Sequence, residues 1–148
     1  MEQIAANILT ISNSSNVEFQ HISKSIQVII DTIRIFGGPQ TAIAFNGGKD
    51  ACVVFYLLIT ALYMRQELDL IGREEIRIVY FEDKLEFPEM KEFLSGLKES
   101  LKFSFLYLNM SFKSGMEHLV SLGVKAIILG TRRGQSLLYH IGIKYLNL

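Results

Sequence analysis

The sequence has no tryptophan, one cysteine, two prolines and no surplus of charge of either sign. The single thiol, Cys52, excludes a disulfide framework within the chain and suits a reducing compartment. The 15 basic and 15 acidic side chains give a formal net charge of +0. General nucleic-acid binding is therefore not expected, because no basic excess exists to displace counterions along a phosphate backbone. A few well-placed donors can still hold one phosphate group. His21, His118 and His140 are scattered, and with one cysteine they form no metal-ligand spacing. No apolar run approaches the roughly 20 residues that a membrane span needs. The longest, Ala51 to Met64, lies between Lys49-Asp50 and Arg65 and reads as a buried helix. Up to Gln20 the chain carries Glu2 and Glu18 but no Lys or Arg, unlike a secretory or transit peptide. No membrane partner is expected, and the expected location is cytoplasmic.

What is there is a chain of 148 residues, 49% of them hydrophobic. Such a chain offsets its ordering entropy by burial and forms one folded domain rather than a disordered segment. From Val17 to Phe36 the positions Ile22, Ile26, Ile29, Ile30 and Ile33 mark one face of an amphipathic helix, which Gly37-Gly38-Pro39 ends. Before it, Ser12 to Asn16 is a polar break, and Met1 to Ile11 reads as a loosely attached lead-in helix. Thr41 to Phe45 then suits a buried strand, followed by the tight loop Asn46-Gly47-Gly48 and the apolar helix that Asp50 opens. Ile76 to Phe81 is a second strand, rich in β-branched and aromatic residues. Pro88 sits well in the first turn of a helix running to about Leu101. Phe103 to Leu108 is a third strand, Ser111 to Leu122 a helix stopped by Gly123, and Ala126 to Leu129 a fourth strand.

Strands alternating with helices argue for an α/β fold, a doubly wound parallel sheet in three α/β/α layers with strand order 3-2-1-4. Residues 1–16 form the lead-in, 17–134 a nucleotide-binding domain and 135–148 a C-terminal tail of different character. Ligands of such sheets sit beyond the carboxyl ends of the strands, where the order reverses. Two loops meet that condition: Asn46 to Asp50 and Gly130 to Gly134.

In the first loop, two consecutive glycines remove side-chain bulk, so several backbone N–H groups can converge on one anion. The helix that starts there adds unpaired N–H donors and the positive end of its dipole. That dipole contributes only about 0.3–1 kcal/mol, rising toward ~2 when partly buried, so Lys49 is needed as a full charge. Asp50 repels phosphate unless a divalent cation intervenes; it is either a magnesium-side carboxylate or the helix cap. A plain strand-to-helix turn accounts for the same pattern about equally well. The segment is not a Walker A loop, which needs an upstream glycine and a following Ser or Thr. Nor is it a dinucleotide fingerprint, since no G-x-G-x-x-G follows the strand. In the second loop, Arg132 and Arg133 offer forked donors for phosphate oxygens, or else form a solvated basic turn.

Taken in order, these residues resemble eukaryotic-type FAD synthase, the FMN adenylyltransferase family of the PP-loop, PAPS-reductase-like superfamily. The family's S-F-N-G-G-K-D-C-T stands here as Ala44-Phe45-Asn46-Gly47-Gly48-Lys49-Asp50-Ala51-Cys52. Its F-P-E-x-x-x-F stands as Phe87-Pro88-Glu89-Met90-Lys91-Glu92-Phe93, and its G-T-R-R as Gly130-Thr131-Arg132-Arg133. The resemblance implies an adenine nucleotide alpha hydrolase-like fold and adenylyl transfer: ATP and FMN give FAD and pyrophosphate, with Mg2+. It further implies that Phe45, Asn46, Gly47, Gly48, Lys49, Gly130, Thr131 and Arg132 bind ATP. Lys49, Asp50, Arg132 and Arg133 carry the transfer, with Asp50 toward the metal. It points Phe81 and Phe87 toward the adenine or the wall beside it, although core packing accounts for both aromatics as well.

The chain departs from the pattern at Ala44 and Cys52, where the family has hydroxyl residues. Gln135 and Ser136 stand where Asp and Pro follow G-T-R-R-x. The proline- and tryptophan-containing flavin-side segment is expected to be missing, since both prolines lie upstream. A catalytically incomplete nucleotide-binding isoform or paralogue is therefore the alternative to the enzyme. A sulfur-transferring or tRNA-modifying ATPase is disfavoured by the lack of catalytic cysteines and of a basic surface. Cys52, near a helix start, is either an activated thiol or, more commonly, a small buried hydrophobe. Glu82, Asp83 and Glu86 read as an exposed loop or a magnesium-side cluster.

Overall fold

The computed structural model describes residues 1–13, 19–73, 75–82, 87–130 and 144–145. Thr41–Phe45 forms strand β1, whose side chains alternate between two environments. Ile43 and Phe45 enter the larger core, whereas Ala42 and Ala44 belong to a smaller one on the opposite face. That period of two is what a strand buried on both faces requires. β2 (Arg77–Phe81), β3 (Phe105–Leu108) and β4 (Ala126–Ile128) complete a parallel set in the expected order, β3-β2-β1-β4. A two-residue strand β5 (Lys144–Tyr145) adds an antiparallel edge beside β4, an element the sequence reading did not anticipate.

The two faces of the sheet are covered unequally. Helices α1 (Glu2–Ser12), α2 (Gln20–Phe36), α3 (Lys49–Met64) and α5 (Pro88–Leu101) all contribute to the larger core. The smaller core is closed by α6 (Phe112–Ser121) through Leu119 and Met116. A single-turn helix α4 (Asp69–Gly72), also unforeseen, buries Ile71 on the way from α3 to β2. Its four residues are too few to carry a periodic apolar signal.

α3 is the central helix. Leu57, Leu58, Ile59, Thr60, Ala61 and Leu62 are consecutive buried residues, so α3 is covered on more than one side. The sheet supplies one cover and α2 another, while α1 lies against α3 with Ala5 wholly buried. The expectation of a loosely attached lead-in is thereby corrected. Met1, Ile4 and Ile8 pack against the same core, and the small side chain of Ala5 fits close to α3. α2 turns the sequence's isoleucine face inward: Ile26, Ile29 and Ile33 are buried. Gly37, at φ 75°, ends it as the Gly-Gly-Pro stop requires.

Aromatic rings fix the C-terminal end of β1. Phe45 stacks on Phe105 and meets Phe55 edge-on, both at 5.6 Å between centroids. Phe103 closes the cluster, 5.1 Å from Phe55 and 4.9 Å from Phe105. Each such pair contributes about 0.5–1.5 kcal/mol beyond its burial. The loop that follows β1 therefore starts from a rigid base. α5 and α6 begin where the sequence places them: Pro88 occupies the first turn of α5, and Ser111 caps α6 by accepting from the Ser114 N–H. Among the described residues no helix is long and apolar enough to cross a membrane.

Candidate functional site

β1 pairs with β2 on one side and with β4 on the other, so the strand order reverses next to β1. The loops leaving β1 and β4 must then meet at one end of the sheet. They do. A Cβ added to Gly130 would stand 3.0 Å from the Asp50 carbonyl oxygen and 3.2 Å from the Ala51 nitrogen. A side chain there would force the end of β4 and the first turn of α3 apart by a few tenths of an ångström.

The glycine loop is built by its own residues and by one from α5. Asn46 turns back on the chain, its Oδ1 accepting the Gly48 N–H at 3.0 Å. Gly47 adopts φ +74°, a conformation open chiefly to glycine. A Cβ there would overlap the Met90 sulfur and reach its Cε at 3.0 Å. Met90 lies in the Phe87-to-Phe93 motif, so that motif packs directly beneath the glycine loop. Gly48 is the N-cap of α3, with no side-chain cap, and Lys49 and Asp50 open the first turn. Asp50 is therefore not the capping residue that the sequence left open. Its carboxylate sits in the first turn, where negative charge complements the helix dipole. Lys49 is exposed, as a side chain free to reach an anion above the loop must be.

Beside the loop is a cleft of about 230 Å3, lined by Ala44, Phe45, Asn46, Ala51, Phe81, Phe112, Leu129 and Gly130. Most of that lining is apolar, with polar groups gathered at the glycine loop, an arrangement common in sites for small ligands. Phe45 is 1% exposed and its ring belongs to the aromatic cluster, so it offers the cleft its backbone. Phe81, one of the two aromatics considered for this wall, lines the cleft 5.1 Å from Phe112. Phe87 does not: it is 74% exposed at the start of α5. Phe112, Leu129 and Met90 had not been singled out. Only Phe112 carries a local signal, an aromatic directly after a capping serine at the end of β3.

The remaining candidates divide simply. Phe45, Asn46, Gly47, Gly48, Lys49, Asp50 and Gly130 gather at one end of the sheet. Thr131, Arg132 and Arg133 lie outside the described residues, as do Gly134, Asp83 and Glu86. Glu82 is exposed, and its N–H donates to the Leu108 carbonyl at 3.1 Å, extending the β2–β3 pairing. Cys52 is half-buried, and burial pushes its thiol above the ordinary cysteine value. Its Sγ lies 3.8 Å from the Gly47 carbonyl oxygen, which it can meet only as a weak donor. An activated thiolate is thus disfavoured at this helix start. Among the described residues no three His, Cys, Asp or Glu side chains gather to hold a metal ion.

No protein-family model matches the chain. It is 28% identical over 118 residues to a probable FAD synthase of Schizosaccharomyces pombe, the match taking in 76% of this chain and 43% of that one. Its fold is shared with a yeast FAD synthetase crystallised with FAD: TM-score 0.62, 16% identity, 91% of this chain and 53% of the other. It is also shared with Candida glabrata FMN adenylyltransferase in complex with FMN and the ATP analogue AMPCPP. There the TM-score is 0.60 at 17% identity, over 88% of this chain and 48% of the other. The chain spans about half the length of the relatives it matches. In sequence it is similar to an FAD synthase, and in fold to the FMN adenylyltransferases.

Proposed function

We propose that this chain binds ATP with magnesium over the Asn46–Asp50 loop and transfers AMP to FMN, giving FAD and pyrophosphate. The observation that carries the reading is the contact of Gly130 with the Asp50 backbone, beside an apolar cleft. It brings Gly130, where the second candidate loop begins, against the first turn of α3 beside the glycine loop. The sequence similarity to an FAD synthase supports the same chemistry.

In this reading residues 17–134 are the nucleotide-binding unit. Phe45 backbone, Asn46, Gly47 and Gly48 surround the phosphates, and Lys49 supplies the full positive charge that a helix dipole lacks. Gly130 admits the second loop, from which Thr131, Arg132 and Arg133 meet phosphate oxygens. An FMN phosphate oxygen attacks the α-phosphorus of ATP as the bond to pyrophosphate breaks. The protein forms no covalent bond, so the rate depends on alignment of the two phosphates and on neutralising the charge that develops.

The donor set fits a magnesium ion carried by the nucleotide better than a resident one. Such an ion keeps several waters and takes one or two carboxylates plus substrate phosphates, and Asp50, in the first turn of α3, offers a single carboxylate. When bound, it neutralises phosphate charge. The partners are ATP and FMN, without nucleic acid or membrane, and a cytoplasmic location suits both.

A second reading, nucleotide binding without turnover, is favoured by Gln135 and Ser136 standing where the resemblance expects Asp and Pro. Incubating the chain with ATP, FMN and magnesium, and separating products by chromatography, decides between them. FAD and pyrophosphate in equal amounts, formed slowly, are expected. ATP binding without FAD would favour the second reading, and no binding of ATP would contradict both.

A further inference from the structure

α6 carries a glycine in its interior, Gly115, where glycine weakens a helix. It is also buried. A Cβ on Gly115 would overlap Cε1 of Phe81, and it would stand 3.1 Å from Cζ of the same ring and 3.2 Å from Leu108 Cδ1. The Phe81 ring therefore occupies the room that a side chain at 115 would fill. The same ring lines the cleft beside the glycine loop and forms an aromatic corner with Phe112, at an interplanar angle of 43°. A side chain at 115 would force this ring, a wall of the cleft, to move.

We infer that Gly115 is a specificity-determining residue: by seating the Phe81 ring against α6 it keeps the cleft deep enough for a purine base. This rests on the nucleotide reading above and names what selects the base. Gly115 touches no ligand itself. Its effect is exerted through one ring, on the part of the nucleotide farthest from the phosphates. Apolar pockets discriminate by fit, and one methyl group too many at the wall narrows the space for the larger base first.

The test is calorimetric titration of the whole chain with ATP–Mg, CTP–Mg and tripolyphosphate–Mg. The variants are Gly115→Ala, Phe81→Leu, and the two together. Gly115→Ala is expected to weaken ATP about tenfold or more, to weaken CTP less, and to leave tripolyphosphate unchanged. Adding Phe81→Leu to Gly115→Ala removes the overlap and is expected to recover most of the loss. An ATP-to-CTP ratio within about twofold of the parent, or a parallel loss of tripolyphosphate, would overturn the inference. Should Gly115→Ala not fold, the double variant is compared with Phe81→Leu alone. With the ring gone, the methyl group at 115 is expected to leave the ATP-to-CTP ratio within about twofold, and a further fall in ATP affinity would overturn the inference. A parent chain that binds none of the three probes instead refutes the nucleotide reading, before any substitution is made.

Discussion

Gly130 follows β4 and Asp50 lies in the first turn of α3, yet a Cβ on Gly130 would stand 3.0 Å from the Asp50 carbonyl oxygen. The atom in the way is backbone in the first turn of α3, so no side chain can swing aside to make room. Gly130→Ala is expected to push the end of β4 away from α3. Overpacking of this kind costs about 1–3 kcal/mol, read as a lower midpoint of thermal unfolding. Nucleotide affinity should fall with it. An unchanged midpoint would mean that the two loops are less tightly joined than their geometry indicates.

Gly47 is constrained twice, by its φ of +74° and by the Met90 sulfur beside it. A double-mutant cycle separates the two. Gly47→Ala should destabilise chiefly through the backbone strain, by roughly 1–3 kcal/mol, with a smaller share from the overlap because the end of the Met90 side chain can swing aside. In a Met90→Ala background the overlap is gone, so the same substitution should cost less. Denaturant titration of the four proteins measures the difference. Equal costs in both backgrounds would remove Met90 from the support of the loop.

Cys52 provides a pH test. Burial raises its thiol pKa above the ordinary cysteine value, although it lies near the start of a helix. Alkylation by iodoacetamide should be slow at neutral pH and accelerate only on the alkaline side of the ordinary cysteine range. The linked stability follows in sign. The folded state holds the Cys52 proton more tightly than the unfolded one, so this contribution is complete below the unfolded pKa and is lost as pH rises through the folded pKa. Rapid alkylation at pH 7 would show a thiolate activated by the helix instead.

How much of this was legible in the sequence depends on how local each signal is. β1, α5 and α6 were legible because their boundaries are written in neighbouring residues: Asn46-Gly47-Gly48 after the strand, Pro88 at the start of α5, Ser111 and Gly123 around α6. The meeting of the glycine loop with Gly130 was legible too, since strand order alone forces it. The packing of α1 on α3 was missed because Ala5 contributes little apolar signal. A hint lay in α3, whose consecutive apolar residues need cover on more than one side. Met90 beneath Gly47 and Gly115 behind Phe81 were not legible at all. Each is a contact between segments far apart in the chain, and no spacing rule encodes it.

The central claim is that the Asn46–Asp50 loop holds nucleotide phosphate, with Lys49 as its charge. Calorimetric titration of ATP–Mg into the parent chain, Lys49→Ala and Lys98→Ala tests it most directly. Lys98 lies on an exposed turn of α5 and serves as the control for loss of a surface charge. A charge-assisted hydrogen bond is worth about 1.5–3 kcal/mol, so Lys49→Ala should weaken binding roughly ten- to a hundredfold while Lys98→Ala leaves it within about twofold. Equal and negligible effects of the two substitutions would contradict the account.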